Sequence, residues 1–284
     1  MRSEEPVWRL IRSGPLPGAM NMALDDALLQ AVAAGSSPPV LRLYGWQPAT
    51  LSLGYAQPVD AGIDLEACRA AGVAVVRRPT GGRAVLHDRE VTYALIAPVG
   101  APFGNSVATS YRVVAGLLRS ALCACGLAAE LVPGQPRGRA ERAVCFAAPA
   151  QHELVIAGCK VAGCAQKRRG RAFLQHGSIP LDLDLELLDR LMPPTAGEAA
   201  PERFTAVGWL HRFAGQPLTV DAVEAAVIAA FAAGLGVRFQ DDVPSLAEAQ
   251  LATDLCVACY DNASWTLAGP GARAPASPVD DVDD

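Results

Sequence analysis

The chain has 284 residues, of which 51% are apolar and 19% charged, enough to bury a substantial core as one large domain or a domain with an appendage. No apolar run approaches the roughly 20 residues of a membrane helix, so the reading is not a membrane protein. The net charge of −5 argues against a general nucleic-acid binder, because neutralising phosphate needs clustered excess cations. Glu4, Glu5, Arg9 and Arg12 interrupt the segment where a secretion signal would be apolar, which points to the cytoplasm. There the 8 cysteines are expected as thiols, and the pairs Cys123/Cys125 and Cys256/Cys259 as packing residues rather than zinc ligands.

In chain order, Met20 to Ala34 is predicted to be an amphipathic helix with Asp25, Asp26 and Gln30 on its polar face, stopped by Gly35. Val40 to Trp46 and Ala49 to Tyr55 alternate around Gln47-Pro48 and suggest an antiparallel pair. A short helix from Asp64 to Ala71 precedes a strand at Val73 to Arg78. Further strands follow at Ala84 to His87 and Val91 to Pro98. A helix from Ser110 to Cys125, capped by Thr109 or Ser110, leads into a basic stretch. Glu153 to Gly158 and Lys160 to Gln166 read as a hairpin turning at Gly158-Cys159, with Phe173 to Ile179 as the next strand. From Asp184 the pattern is helical: Leu185 to Leu191, then Asp221 to Ala233 after Thr219, then Leu246 to Cys259 behind a Ser245/Glu248 capping box.

These elements predict an α+β protein with mixed, largely antiparallel sheets flanked by helices and a short helical C-terminal extension. The expected division is a catalytic domain at 1–191, a linker and helical extension at 192–267, and an acidic, disordered tail at 268–284.

Two stretches carry the chemistry. In RRPTGGRAVLHD (Arg77 to Asp88), adjacent glycines after a strand let a ligand approach backbone N–H groups, and Arg77, Arg78 and Arg83 supply cations. His87 has no companion set of metal ligands nearby and reads as structural rather than metal-binding. The second stretch runs from Glu141 to Ile179. Cys145 follows Arg137, Arg139 and Arg142, which favour its thiolate. Between Arg137 and Arg171 eight cations face two acids, a local balance of +6 that could receive an anionic partner. Lysine is scarce: 22 of 24 cationic side chains are Arg, and Lys160 and Lys167 are the exceptions. Arginine cannot replace a compact, titratable ammonium, so Lys160 or Lys167 is a candidate for chemistry.

The segments NMALDDALL, LRLYGWQPATLSLGYAQ, RRPTGGRAVLHDREVTYAL and CFAAPAQHELVIAGCKVAGCAQKRRGRAFLQHGSI occur in this order between Trp8 and Leu183. With them the chain resembles the biotin/lipoate protein ligase superfamily, and most closely its LipM-type octanoyltransferases. The resemblance implies that fold, with Cys145 as the acyl-accepting nucleophile and Lys160 as the essential lysine. It further implies substrate contacts at Arg77, Thr80, Gly81, Gly82, Arg83 and His87 of the first stretch, and at Gly163, Ala165, Gln166, His176 and Gly177 of the second. The implied donor is octanoyl-acyl carrier protein and the implied acceptor is a lysine of a lipoyl domain, such as glycine cleavage H protein, with neither ATP nor a metal required. Where the family carries G-S-A-Q this chain carries GCAQ, which leaves open whether Cys159 or Cys164 can act in place of Cys145. Alternatives on the same motifs are an ATP-dependent lipoate ligase, an amidotransferase moving octanoyl groups between lipoyl domains, and a non-catalytic acyl-binding protein.

Overall fold

Alternation of side chains along β-strands, with helices laid on both faces, organises the chain. The computed structural model describes residues 5–59, 62–132, 153–194 and 204–271. The elements run β1 (Val7–Leu16), α1 (Gly18–Ala33), β2 (Val40–Trp46), β3 (Thr50–Leu53), α2 (Leu65–Ala70), β4 (Ala74–Arg77), β5 (Val85–His87), β6 (Glu90–Pro98) and α3 (Val107–Ala124). They continue with β7 (Glu130–Val132), β8 (Glu153–Ile156), β9 (Cys159–Lys160), β10 (Gly163–Arg169), β11 (Ala172–Pro180), α4 (Leu185–Leu191), α5 (Val220–Leu235), β12 (Arg238–Asp242) and α6 (Leu246–Leu255).

A six-stranded sheet in the order β10-β11-β6-β2-β1-β12 forms the centre. Its β10, β11, β6 and β2 are antiparallel neighbours, whereas β1 lies parallel to both β2 and β12. On β6, Val91, Tyr93, Leu95 and Ala97 enter the core under α3 and α5, while Ala94 and Ile96 enter the core under α1. Two three-stranded sheets, β4-β3-β5 and β7-β8-β9, complete the architecture. The result is the expected α+β fold. No helix among the described residues is long and apolar enough to cross a membrane.

Most helix boundaries follow their caps. Asp64, Asp184 and Thr219 each accept a backbone N–H at the start of α2, α4 and α5, and Ser245 with Glu248 forms a complete capping box on α6. The cap of α3 is Ser106 instead of Thr109 or Ser110, so that helix starts a turn earlier than expected.

Four further expectations are corrected. The proposed hairpin of residues 40–46 and 49–55 does not form: β2 enters the central sheet and β3 the β4-β3-β5 sheet. Both strands are buried along nearly their whole length, so each needs cover on both faces, which a two-stranded ribbon cannot give. The segment Lys160 to Gln166 is not one strand, because the chain leaves β9 at Val161 and joins the central sheet at Gly163. Its hairpin turns at Ala157 (φ 48°) and Gly158 (φ 78°), one residue earlier than expected, as a two-residue turn with both centres left-handed requires. Finally, the C-terminal segment contributes β12 as well as helices. This edge strand, RFQDD, is mostly solvent-facing and so shows no apolar alternation. Arg9 ties it down, bonding Asp242 and Glu248 at 2.6 Å each.

The fourth correction concerns α1. Asp25 and Asp26 are buried, at 0% and 7% exposure, rather than solvated. Asp26 receives the Tyr260 hydroxyl at 2.7 Å from the C-terminal segment, which covers that face of the helix. Cys256 and Cys259 pack against the same α1 core, and burial pushes the Cys259 thiol up to about 11.

Candidate active site

A pocket of about 380 Å³, mouth included, opens where α1 and the central sheet meet β3 and β5. Its walls combine apolar Met22 and Val85 with Tyr44, Trp46, Ser52 and Arg78, and with backbone and side chains from β10 and β11. The polar groups around it form two buried chains, each running from a hydroxyl through an imidazole to a carboxylate.

In the first chain, Asp25 on α1 lies one turn beyond Asn21, so both face β2, where Arg42 enters the core with no exposed surface. Arg42 donates to Asp25 Oδ1 and Asn21 Oδ1 at 2.6 Å and to Ser13 Oγ at 2.8 Å. The Tyr44 hydroxyl donates to Asp25 Oδ2 at 2.8 Å, and His176 Nδ1 lies 3.1 Å from the same oxygen. Burial by itself would raise the Asp25 carboxyl, but Arg42 and His176 outweigh it and hold the group below its ordinary value. A charged carboxylate only accepts, so His176 carries its proton on Nδ1 and its Nε2 accepts from Thr80 Oγ1 at 2.6 Å. Burial, with Arg78 and His87 adding to it, keeps His176 neutral against the opposing pull of Asp25.

This neutral histidine makes a prediction. Unfolded histidine takes up a proton near pH 6.5, while His176 in the fold does so only at lower pH. Stability from this group is therefore complete above about pH 6.5 and declines as pH falls below it, by at most about 2 kcal/mol at pH 5. Urea titrations at pH 7 and pH 5 are expected to show that loss in the wild type. They should show much less of it in His176→Asn, which retains an N–H donor toward Asp25.

The second chain is built on Glu90 at the start of β6. Its carboxylate accepts from His87 Nδ1 at 2.8 Å, from Ser178 Oγ at 2.5 Å and from the Thr92 hydroxyl. These donors, led by His87, overcome burial and keep the Glu90 carboxyl below its ordinary value. His87 Nε2 and Ser52 Oγ share a hydrogen bond of 2.8 Å, and Ser52 Oγ also accepts from Arg78 at 3.1 Å. Trp46 stacks on the His87 ring at 4.0 Å and donates its indole N–H to Thr92 at 2.7 Å. His87 is thus held as an interior histidine of the pocket wall, within a wholly protein-made network.

The Thr80-Gly81-Gly82-Arg83 loop is clamped by Arg78, which donates to the carbonyls of Gly81 at 2.8 Å and Arg83 at 2.7 Å. Gly54 passes so close beneath it that a Cβ there would sit 1.9 Å from the Gly82 carbonyl oxygen. Because that neighbour is backbone, Gly54→Ala is expected to displace the loop and cost roughly 2 to 3 kcal/mol in chemical denaturation. A loss below about 0.5 kcal/mol would contradict the contact.

Of the residues expected at the site, His87, Gly163, Ala165, His176 and Gly177 line the pocket, and Thr80 backs it through His176. Arg77 does not line it. Its guanidinium donates to the carbonyls of Gly54, Tyr55, Gln57, Trp265 and Thr266, joining the β3 exit to the C-terminal segment. Gln166 bonds Ser110 at 3.0 Å and Gln175 at 3.1 Å on the α3 side of the sheet. Gly81 and Gly82 lie exposed at the loop tip, and Arg83 is half-buried beside them.

Lys160 is buried on β9, its ammonium 2.5 Å from Glu153 Oε1 on the paired β8. Its backbone is fixed on the other side as well: its N–H donates to the Ala206 carbonyl, and its carbonyl accepts from Gly208, both at 2.8 Å. Gly163, three residues on, reaches the pocket wall. Cys145 lies outside the described residues, as do Arg137, Arg139 and Arg142. Cys164 also lines the pocket, its sulfur accepting from the Tyr93 hydroxyl at 3.1 Å, whereas Cys159 is buried and donates to the Thr205 carbonyl at 3.4 Å.

Sequence reasoning missed Asp25, Glu90, Ser52 and Trp46. One signal was present: Arg42 interrupts the otherwise apolar strand VLRLYGW, and a cation inside a buried strand demands a buried anion.

Residues 17–232 match the family model described as the lipoyl protein ligase A/B catalytic domain. A protein of Geobacillus kaustophilus named octanoyltransferase LipM is 40% identical over 274 residues, covering 92% of this chain and 98% of that protein. A Kyrpidia tusciae protein of the same name is 41% identical, covering 87% and 94%. Among solved structures, lipoate-protein ligase A bound with ATP superposes with a TM-score of 0.77 at 23% identity, over 93% of this chain and 98% of that one. The putative lipoate protein ligase Ta0514 of T. acidophilum does so with a TM-score of 0.76 at 24% identity, over 92% and 98%.

Proposed function

The chain belongs to the lipoyl protein ligase A/B catalytic-domain family, and on that premise we propose that it is an octanoyltransferase of lipoate assembly working through an acyl-cysteine. The Cys145 thiolate attacks the thioester carbonyl of octanoyl-acyl carrier protein, the carrier's thiol leaves with a proton, and the octanoyl group rests on sulfur. The ε-amine of a lipoyl-domain lysine then attacks that thioester, giving the amide and returning the Cys145 thiol. The incoming thioester is already activated, so no nucleotide enters. Lys160 favours the thiolate, orients the acyl carbonyl and takes part in moving the protons. Backbone N–H groups near Gly163 or in the Gly81-Gly82 loop stabilise the oxyanion.

One observation carries the substrate class. Tyr44, Trp46, Ser52, His87, Thr92, His176 and Ser178 line the pocket, yet each directs a hydrogen bond into the two buried chains. A slot whose polar groups are satisfied within the protein suits a plain hydrocarbon tail, which gains about 0.8 kcal/mol per methylene on leaving water. The shared fold does not distinguish a transferase from a ligase, since lipoate-protein ligase A bound with ATP superposes on it with a TM-score of 0.77.

The test supplies octanoyl-acyl carrier protein and an unmodified lipoyl domain with and without ATP, and follows the acceptor's mass. Octanoylation at the same rate in both is expected. Strict dependence on ATP and free octanoate, undiminished in Cys145→Ser, would establish a ligase instead.

A further inference from the structure

A second cavity, about 330 Å³ with its open mouth included and with room for about one water in its closed part, lies beside the site pocket. Its walls are apolar throughout, with Leu86, Pro180, Leu183, Leu188, Met192 and Val207 among them. Among the described residues, Val85 alone lines both cavities. The reason is topological. β5 is an edge of its three-stranded sheet, so no further strand covers its outer side, and space remains between it, the end of β11 and α4. Val85 stands opposite Ser52 in the β3–β5 register and packs against Val207 on the far side.

We propose that Val85 is the stop that sets the acyl chain length, and that the second cavity is the space a longer chain would enter if this side chain were cut back. The inference rests on the pocket holding an acyl tail, as in the function above. The polar side chains of the other walls are held by the hydrogen-bonded chains through Asp25 and Glu90, which cannot yield without stranding buried charge, and Met22 is packed into the core under α1. Val85 is an apolar partition backed by apolar free space. Behind an intact partition, methylenes beyond the octanoyl terminus meet the valine methyls. Past a shortened one, each finds apolar surface, worth about fourfold in selectivity per methylene.

The experiment measures kcat/KM with hexanoyl-, octanoyl-, decanoyl- and dodecanoyl-acyl carrier protein. Val85→Ala is expected to raise the decanoyl-to-octanoyl ratio by about sixteenfold, two methylenes at about fourfold each. Val85→Ala combined with Leu188→Phe, which fills the second cavity from α4, should return the ratio toward that of the wild type. Val85→Ile, which keeps the partition and adds a methyl, should shift preference toward hexanoyl, so the inference stays testable even where the alanine variant fails to fold. An unchanged ratio in a Val85→Ala protein that still transfers octanoyl overturns the partition, as does a shift that survives Leu188→Phe. A wild type that transfers no acyl group from any of these donors overturns the proposed function itself, and this inference with it.

Discussion

Replacing Arg42 by Met is expected to destabilise the fold by about 3 to 5 kcal/mol at pH 7, a larger loss than any other single change considered for this core. Arg42 and Asp25 are both fully shielded from solvent, and the guanidinium also serves Asn21 and Ser13. Methionine fills much of the same volume but leaves a buried carboxylate whose remaining partners are Tyr44 and His176. The sign of the pH dependence follows. In the wild type the Asp25 carboxyl lies below 3.8, so the stability from its ionised form is present above about pH 3.8 and is lost as pH falls through the lower folded value. In Arg42→Met, burial is no longer outweighed and the carboxyl rises above its unfolded value. The penalty of the variant then shrinks on acidification as Asp25 becomes neutral. Urea denaturation at pH 7 and pH 4.5 reads both effects, and the double variant Arg42→Met/Asp25→Asn should recover much of the loss because no unpaired charge remains. A loss under about 1 kcal/mol at pH 7 would show that the pair is dispensable.

Lys160→Met is expected to lower kcat for octanoyl transfer by about 10² to 10⁴, the usual range for losing a positioned proton-handling group. Lys160→Arg should rescue little, because a planar guanidinium stays charged and cannot occupy the site of a compact ammonium bonded to Glu153 at 2.5 Å. Lys160→Met also takes the ammonium away from the buried Glu153 carboxylate, so some thermal destabilisation accompanies it. Lys160→Met/Glu153→Gln separates the two consequences: stability returns while kcat stays low. Should Lys160→Arg keep most of the wild-type kcat, the titratable amine has no role beyond its charge.

Much of this was legible in the sequence wherever the signal is local. The Ser245/Glu248 capping box, the helical pattern from Asp184 and the glycine-containing turn before Lys160 each depend on residues a few positions apart, and the helices and the turn start within a residue or two of expectation. The glycines and histidines that gather around the pocket were implied by the family resemblance, which two short stretches carry. Long-range features were not. Arg77 reads as a ligand cation beside a glycine loop, yet its bonds reach Trp265 and Thr266, which no spacing rule connects to it. Asp25 reads as solvated because helical periodicity reports which face is apolar and cannot report that Arg42 waits on the strand opposite. β12 is invisible because an exposed edge strand needs no alternation. Lysine scarcity picked out Lys160 and Lys167 together. Lys160 lies buried against Glu153, while Lys167 makes a longer, 3.5 Å contact with Asp26.

The central claim is a covalent octanoyl group on Cys145. Incubating the protein with octanoyl-acyl carrier protein alone, quenching in acid and measuring intact mass tests it most directly. A single octanoyl adduct on the wild type, absent from Cys145→Ser and discharged when an unmodified lipoyl domain is added, is the result the account predicts. An adduct that persists in Cys145→Ser, or a wild type that octanoylates the lipoyl domain without ever carrying the group, would contradict it.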